Sequence, residues 1–582
     1  MTTVPARPPG GSAWAPLAHP MFRWLWLAQL GSNIGVWMQT VGAQWFLVEQ
    51  SHSSALVAWV QTASLLPTLL LSLLAGVFAD QFDRRVLLLV SNGAATVLAG
   101  ILTAISYAGG LTPWGLLTLT FLLGCASALT GPAWQAIQPE LVPRSELASA
   151  SALGSVTVNA ARAIGPAIAG VIVAATGPSL VFLLNAVSFV LVLVALVAWR
   201  RERSDASTGR ERLWWSLTTG LRYVANGPVV RRILLRSALF AFPASALWAL
   251  LPDAARDPLR LSAGGYGLLL AVLGVGSLIG VVLMPVIRRR LHSSVTLAGS
   301  AVVFGLGTLA TVLWPLPVVL PLLLFSGIAW IGTLTTLNAD MQLTLPAWVR
   351  ARGLAVYLLV FMGSQAIGSF LWGAVSASIG TAATLVIAAA LLALCAASVL
   401  VLPLKPETGT LDRNIVDFCL PAPMLVFEPE PTDGPVLVTR SYQVPPAQAA
   451  GFAGAMGFVE QTQRRVGASS WRLYRSGEHA DEFREEFTVR SWSEYQAQLG
   501  SRWTVYDRDR FGDALAFAGE PPVEEHFFAQ PVGGASAGYP QVMSDEDMTE
   551  PDDQDDDDEE LAPESTDKLD DPPERRAPGE QR

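Results

Sequence analysis

From Trp24 to Leu404 one pattern recurs: a long run of uncharged, mostly apolar residues, then a short cluster of turn-forming or charged ones. Crossing a hydrocarbon layer of about 30 Å takes roughly 20 apolar residues in a helix. Runs of that length stand singly at Trp24–Val48, Ser54–Ala79, Ile233–Pro252 and Leu261–Ile287. Longer runs divide at turn residues: Val86–Pro139 at YAGGLTPW (Tyr107–Trp114), Leu291–Ala339 at WPLP (Trp314–Pro317), and Gly353–Leu404 at Gly380. Ala163–Trp199 completes a span that begins near Ala148 and adds another beyond Thr176-Gly177-Pro178. The pattern predicts an all-α polytopic bundle of twelve membrane helices.

After Pro403 the period changes. PVLVTRSYQV (Pro435–Val444) alternates like a strand, Pro446–Arg465 has a helical period, and SSWRLYRS and EFREEFTVRSW read as two strands. SEYQAQLGSRWTVYDRDRF reads as a helix or two, and EEHFFAQ as a last strand. The order β-α-β-β-α-β is that of a small ferredoxin-like α+β module. The expected organisation is a tail over 1–20, a six-helix bundle over 21–200, a linker over 201–228, and a second bundle over 229–404. A linker over 405–434, the α+β module over 435–530 and an acidic tail over 531–582 follow. That tail is proline-containing and poor in aromatics, so disorder is expected there.

Composition agrees with the membrane reading: 51% of the 582 residues are hydrophobic, more than one soluble core can bury. The net charge of −10 describes the tail rather than the bundle, because SDEDMTEPDDQDDDDEE, beginning at Ser544, carries most of the excess acid. Arginines gather in alternate loops: Arg84 and Arg85, Arg144, Arg200–Arg212, Arg288–Arg290, and Arg350 with Arg352. Only Arg256 and Arg260 break the alternation, so the expectation is that both termini face the cytoplasm of a bacterial cytoplasmic membrane. The N-terminus has no apolar core or cleavage site of a signal peptide. Trp214-Trp215 and the arginines around them predict an amphipathic surface helix between the bundles. Cys125, Cys395 and Cys419 form neither a disulfide framework nor a metal-ligand spacing, and no phosphate-cradling GxxxxGK[ST] loop occurs. No cofactor and no nucleic-acid partner is expected.

A weak repeat relates the two bundles. Gln135, Pro139, Val142, Leu147 and Ala148 align with Gln342, Pro346, Val349, Leu354 and Ala355 at one fixed offset. Between spans two and three stands GVFADQFDRR, with Gly76, Asp80, Asp83, Arg84 and Arg85. With twelve spans in two halves, it resembles the signature loop of the major facilitator superfamily, usually written GxxxDxxGRR/K. Asp83 departs from that pattern, and the second-half copy, MPVIRRRLH, keeps arginines without the acid. The resemblance implies a latch. Asp80 would face the positive N-terminal end of the eleventh span while an arginine bonds nearby carboxylates or carbonyls, closing the cytoplasmic side. The competing reading is ordinary positive-inside arginines with a solvated acid.

In span five, Arg162, Gly165, Pro166 and Gly170 resemble the antiporter motif GPxxGG, with Ala169 in place of the first closing glycine. That likeness implies export. Arg162 falls near mid-membrane, where a charge costs about 3 kcal/mol or more unless it meets a partner or a polar cavity. An ion pair within the first half is its structural alternative, and Asn159 could share either role.

The resemblance further implies that spans one, four, seven and ten line a central cavity. Gln29, Asn33, Trp37, Thr40 and Gln44 share a face of span one. Trp134, Gln135, Arg236, Trp248, Trp330 and Asn338 would join them, unless they serve helix packing instead. Glu49 and Asp340 are the candidates for proton coupling, with Asp253 also near a membrane boundary. The tail module resembles the appended domain of enterobactin-exporter-like transporters and carries a regulatory or dimerising role in that likeness. The whole reading is a secondary transporter of the bilayer that exports a small organic molecule, a siderophore or drug-like compound, by proton-driven alternating access. Lipid or lysolipid movement is the alternative within transport. Outside it stand a membrane-anchored enzyme acting through the α+β module and a non-transporting sensor.

Overall fold

The computed structural model describes residues 14–51, 53–199, 213–405, 408, 411–416 and 425–530. Six helices form the first bundle: α1 (Pro20–Gln50), α2 (Ser54–Gln81), α3 (Arg84–Tyr107), α4 (Pro113–Leu141), α5 (Leu147–Thr176) and α6 (Pro178–Ala198). A connecting helix, α7 (Leu213–Asn226), precedes the second: α8 (Pro228–Arg256), α9 (Ala263–Arg290), α10 (Ser293–Leu313), α11 (Leu316–Thr344), α12 (Arg350–Ile379) and α13 (Thr381–Ala397). Ten of the twelve bundle helices are long and apolar enough to cross a membrane, by length and composition alone. The two others have physical reasons to fall short: α1 carries the polar face of Gln29, Asn33 and Thr40, and α13 is a short apolar helix.

The two bundles repeat one packing scheme. The first helix packs on the fifth and sixth, the third on the fourth and sixth, and the second on the fourth, in both halves. In both, the fifth and sixth helices are joined by a single glycine, Gly177 (φ +80°) and Gly380 (φ +85°), a left-handed geometry that favours glycine. The halves meet reciprocally, α2 against α12 and α5 against α9, as a two-fold axis along the bundle requires. One end of the bundle, here the arginine end, carries Arg84, Arg85, Arg288 and Arg350; the other is the far end.

The C-terminal module comprises β1 (Val436–Gln443), α14 (Ala449–Val466), β2 (Ser470–Arg475), β3 (Glu482–Val489), α15 (Trp492–Ala497), α16 (Val505–Leu515) and β4 (Val523–Phe528). Its sheet has order β2-β3-β1-β4, antiparallel throughout. The stretch expected as a helix or two is α15 and α16, separated by a π turn at Gln498–Arg502. Within the core, Arg440 lies between Glu485 (3.4 Å) and Glu524, while Tyr442 and Trp471 donate to Glu485 (both 2.7 Å).

The module rests on the bundle through α7. Arg222 bonds the Gly467 carbonyl and pairs with Glu494 at 3.7 Å, the Arg465 guanidinium lies over Tyr223, and that of Arg502 lies over Trp348. Parts of the expected 405–434 linker follow the module's surface, with Ile415 bridging to Thr504 and Arg413 reaching Asp507 at 3.8 Å. The expected disordered tail over 531–582, the first 13 residues, the arginines of 200–212 and Cys419 lie outside the described residues.

Candidate functional site

A cavity of about 800 Å³ lies inside the first bundle. Helix α1 lines it with Trp26, Gln29, Ser32, Asn33 and Val36, and α3 with Asn92 and Ala95. From α4 come Ser127, Thr130, Trp134, Gln135 and Gln138, and from α5 Ser151, Ser155, Thr157, Val158 and Asn159. It reaches the arginine end at Gln138 and Ser151 and stops near mid-membrane at Val36 and Asn159. Five residues expected in the cavity therefore line it: Gln29, Asn33, Trp134, Gln135 and Asn159. Sequence reasoning missed Asn92, Ser127 and Thr130, although an amide in the middle of the apolar third span was a legible signal.

One turn deeper on α5 than Asn159 sits Arg162. Its Nε and Nη1 are buried and make no hydrogen bond among the described residues, and its guanidinium lies 5.7 Å from the Trp37 ring. Trp37 tilts against Trp248 (6.0 Å), and Trp248 meets Trp330 edge-on (5.3 Å). Phe240, Phe304 and Phe361 surround Trp330. The indole N–H groups of Trp248 and Trp330 are buried and also lack acceptors. A cation and two unused donors thus belong to one chain of ring contacts, which begins next to the cavity residues Val36 and Asn159.

Beyond these rings the far end is sealed. Gln44 accepts a hydrogen bond from the Tyr266 hydroxyl and donates to the Trp248 carbonyl at 3.3 Å, Trp45 stacks on Tyr266, and Arg256 bonds the Val48 carbonyl. Asp253 is buried in this region with one carboxylate oxygen lacking a hydrogen-bond partner. The motif glycines make the seal possible. A Cβ at Gly170 would stand 2.8 Å from the Gly267 Cα, one at Gly267 would stand 2.6 Å from the Pro166 carbonyl oxygen, and one at Gly165 would stand 2.6 Å from Trp37. Trp59 likewise stacks on Phe370 between α2 and α12, and Thr62 donates to the Ala366 carbonyl at 3.3 Å.

At the arginine end, Asp83 caps α3 by accepting from the Arg85 and Val86 amides, which gives the departure from glycine a local purpose. Arg84 pairs with Glu140 of α4 at 3.1 Å, and Arg85 donates to the Leu196 and Val197 carbonyls at the end of α6. These contacts join helices within one bundle. The side chain of Asp80 and the surroundings of Gly76 lie outside what the structure describes. Because Arg84 and Glu140 are partly exposed, the pair is worth about 0–1 kcal/mol. Arg84→Ala is expected to leave the melting temperature of the purified chain within about 3 °C of wild type; a larger drop would show the pair to be structural.

The other expected residues sit elsewhere. Arg236 is fully engaged with the end of α13, donating to the Leu402, Cys395 and Ser398 carbonyls and to Ser398 Oγ, so it fastens α8 rather than facing the cavity. Thr40 bonds its own helix at Val36, and Asn338 accepts from Gln342 at 2.7 Å. Glu49 is exposed and accepts from Trp45. Asp340 is buried, 3.5 Å from Arg288 and 3.1 Å from Ser293 Oγ, so the second-half loop arginine has found an acid on α11. His526 lies against Tyr495 and Glu524 within the module, whereas His479 is on an exposed turn. Among the described residues no cluster of metal-ligating side chains occurs.

The family model described as transmembrane secretion effector matches residues 11–530. The staphyloferrin A transporter of Staphylococcus aureus is 24% identical over 339 residues, covering 58% of this chain and 85% of that protein. The multidrug efflux pump Tap of Mycobacterium tuberculosis is 26% identical over 373 residues, covering 61% and 87%. Among solved structures, the nucleoside transporter NupG superposes with a TM-score of 0.54 at 14% identity, over 66% of this chain and 98% of its own. A bacterial homolog of the human lysosomal transporter Spinster gives 0.54 at 14%, over 66% and 97%.

Proposed function

Because this chain belongs to the transmembrane secretion effector family of major facilitator transporters, we propose that it exports a small organic molecule, siderophore-like or drug-like, by proton-coupled alternating access. The observation that carries this reading is the asymmetry of the bundle, with a cavity reaching the arginine end and a far end sealed by the α5–α9 and α2–α12 contacts. The positive-inside rule supports placing the arginine end in the cytoplasm of a bacterial inner membrane. The cavity is then a loading site. Relatives named for a siderophore and for multidrug efflux support the cargo class.

In this cycle Asp80 latches the cytoplasmic side when the halves rock to the state that is closed there. Asp253 is the carboxylate best placed to carry the proton, because it is buried at the seal with an unused oxygen; Asp340 also has one, but its other oxygen faces Arg288 and Ser293, and Glu49 is exposed. The C-terminal module acts on the bundle through α7, on which it rests.

The test compares a deletion strain with strains restored by wild type, Asp80→Asn or Asp253→Asn across a broad compound panel. Wild type is expected to lower retention of at least one compound and, in everted vesicles with an acid interior, to release protons when that compound is added. Asp80→Asn should slow efflux at least tenfold, and Asp253→Asn should abolish proton release. Equal retention of every compound by deletion and restored strains refutes export.

A further inference from the structure

The cavity's chemistry narrows the cargo. Its walls offer amides from Gln29, Asn33, Asn92, Gln135 and Asn159 together with the hydroxyls of serines and threonines, and among the described residues no charged side chain lines it. A cationic cargo would find no carboxylate there. One turn along α5 from the cavity residue Asn159 stands Arg162, whose buried Nε and Nη1 are unused; its guanidinium lies over Trp37, which leads through Trp248 to Trp330, and the indole N–H groups of those two are also unused. An unpaired buried cation is expensive, and pairing it with an oxyanion through charge-assisted hydrogen bonds removes that cost.

Resting on the export reading above, we infer that the cargo is an organic anion whose carboxylate or equivalent oxyanion pairs with Arg162 at the floor of the cavity. Its planar or apolar portion lies against Trp37, Trp248 and Trp330, and a hydrogen-bonding body extends along the amide-lined wall toward the arginine end. Charge neutralisation also links loading to movement. With Arg162 unpaired, closing the cavity would strand a bare cation, so the anion favours the occluded form that an empty or cation-loaded site disfavours.

The test uses the full chain, purified in nanodiscs, and three probes with one aromatic body: indole-3-acetate, its methyl ester and tryptamine. Calorimetry is expected to show indole-3-acetate binding at least tenfold more tightly than the ester, with tryptamine weakest. Arg162→Ala should bring the carboxylate to the affinity of the ester, and Arg162→Lys should keep a reduced carboxylate preference. The melting temperature of the empty Arg162→Ala chain should equal or exceed that of wild type, since an unpaired buried charge is removed. Should that variant fail to fold, the carboxylate-over-ester ratio of wild type decides alone. Equal or tighter binding of the ester or the amine overturns the assignment, as does binding of none of the three. In either case, compound efflux lost on deletion would leave the exporter reading standing; carboxylate binding without any efflux would refute export and leave the anion site.

Discussion

Gly267→Leu is expected to drive the bundle out of the state with a sealed far end. At that position a Cβ would stand 2.6 Å from the Pro166 carbonyl oxygen and 2.7 Å from the Gly170 Cα, both backbone atoms of the facing helix. Neither can turn aside as a flexible side chain would, so α5 and α9 must separate. Overpacking of this kind costs about 1–3 kcal/mol, equivalent to a shift of about 5- to 150-fold in the equilibrium between closed and open far ends. Ala263, 3% exposed, reports the change. In a cysteine-free background, Ala263→Cys should react with an impermeant maleimide added to intact cells at least fivefold faster when Gly267→Leu is present. Gly170→Leu should act in the same direction. Gly327→Leu supplies the control, because its Cβ would press on the Leu273 carbonyl across α9 and α11, two helices of one bundle. That change should reduce yield without raising the labelling rate. If Gly267→Leu labels like its parent, the glycine contact is not the part that opens.

Much of this architecture was legible because apolar run length and loop charge are local signals. The twelve helices, the extra helix between the bundles and the β-α-β-β-α-β order need no knowledge of which side chains meet. The glycines and proline of α5 also stood out, since close approach of two backbones restricts residue type severely. Facing direction was harder to read. Arg236 and Arg162 look alike in sequence, each a cation in an apolar helix, yet one is saturated by the carbonyls ending α13 and the other has two unused nitrogens. That difference depends on residues more than a hundred positions away. Asp340 was legible as an acid near a membrane boundary, but its pairing with Arg288 required knowing that α9 lies beside α11. The seal of Gln44, Tyr266 and the Trp248 carbonyl joins three helices through groups with no shared local pattern.

Arg440→Met is expected to unfold the C-terminal module while leaving the membrane bundle intact. Arg440 and Glu485 are 1% and 0% exposed, and Glu524 completes the cluster, so removing the cation strands two carboxylates. Breaking a buried pair in this way costs about 3–5 kcal/mol, a large part of the 5–15 kcal/mol that holds a domain together. Adding Glu485→Gln should recover at least half of the loss, because the amide is neutral and still offers an oxygen to Tyr442 and Trp471. The same cluster sets an acid limit. Burial alone would raise the Glu524 carboxyl, but Arg440, His526 and Tyr495 outweigh it and hold it down to about 2. A depressed carboxyl stabilises the fold above its ordinary value, near 4.5, and that contribution is lost as the pH falls from there toward 2. The loss amounts to about 3 kcal/mol. Urea titration of the full chain, followed by proteolysis within 435–530, should therefore show the module weakening between pH 4.5 and 2 in wild type and far less in Glu524→Gln. An Arg440→Met chain whose module resists protease like wild type would mean that the cluster contributes little. Because α7 carries the module, the Arg440→Met chain also separates two roles: efflux that survives module unfolding assigns transport to the bundle alone, and efflux lost with it makes the docked module part of the cycle.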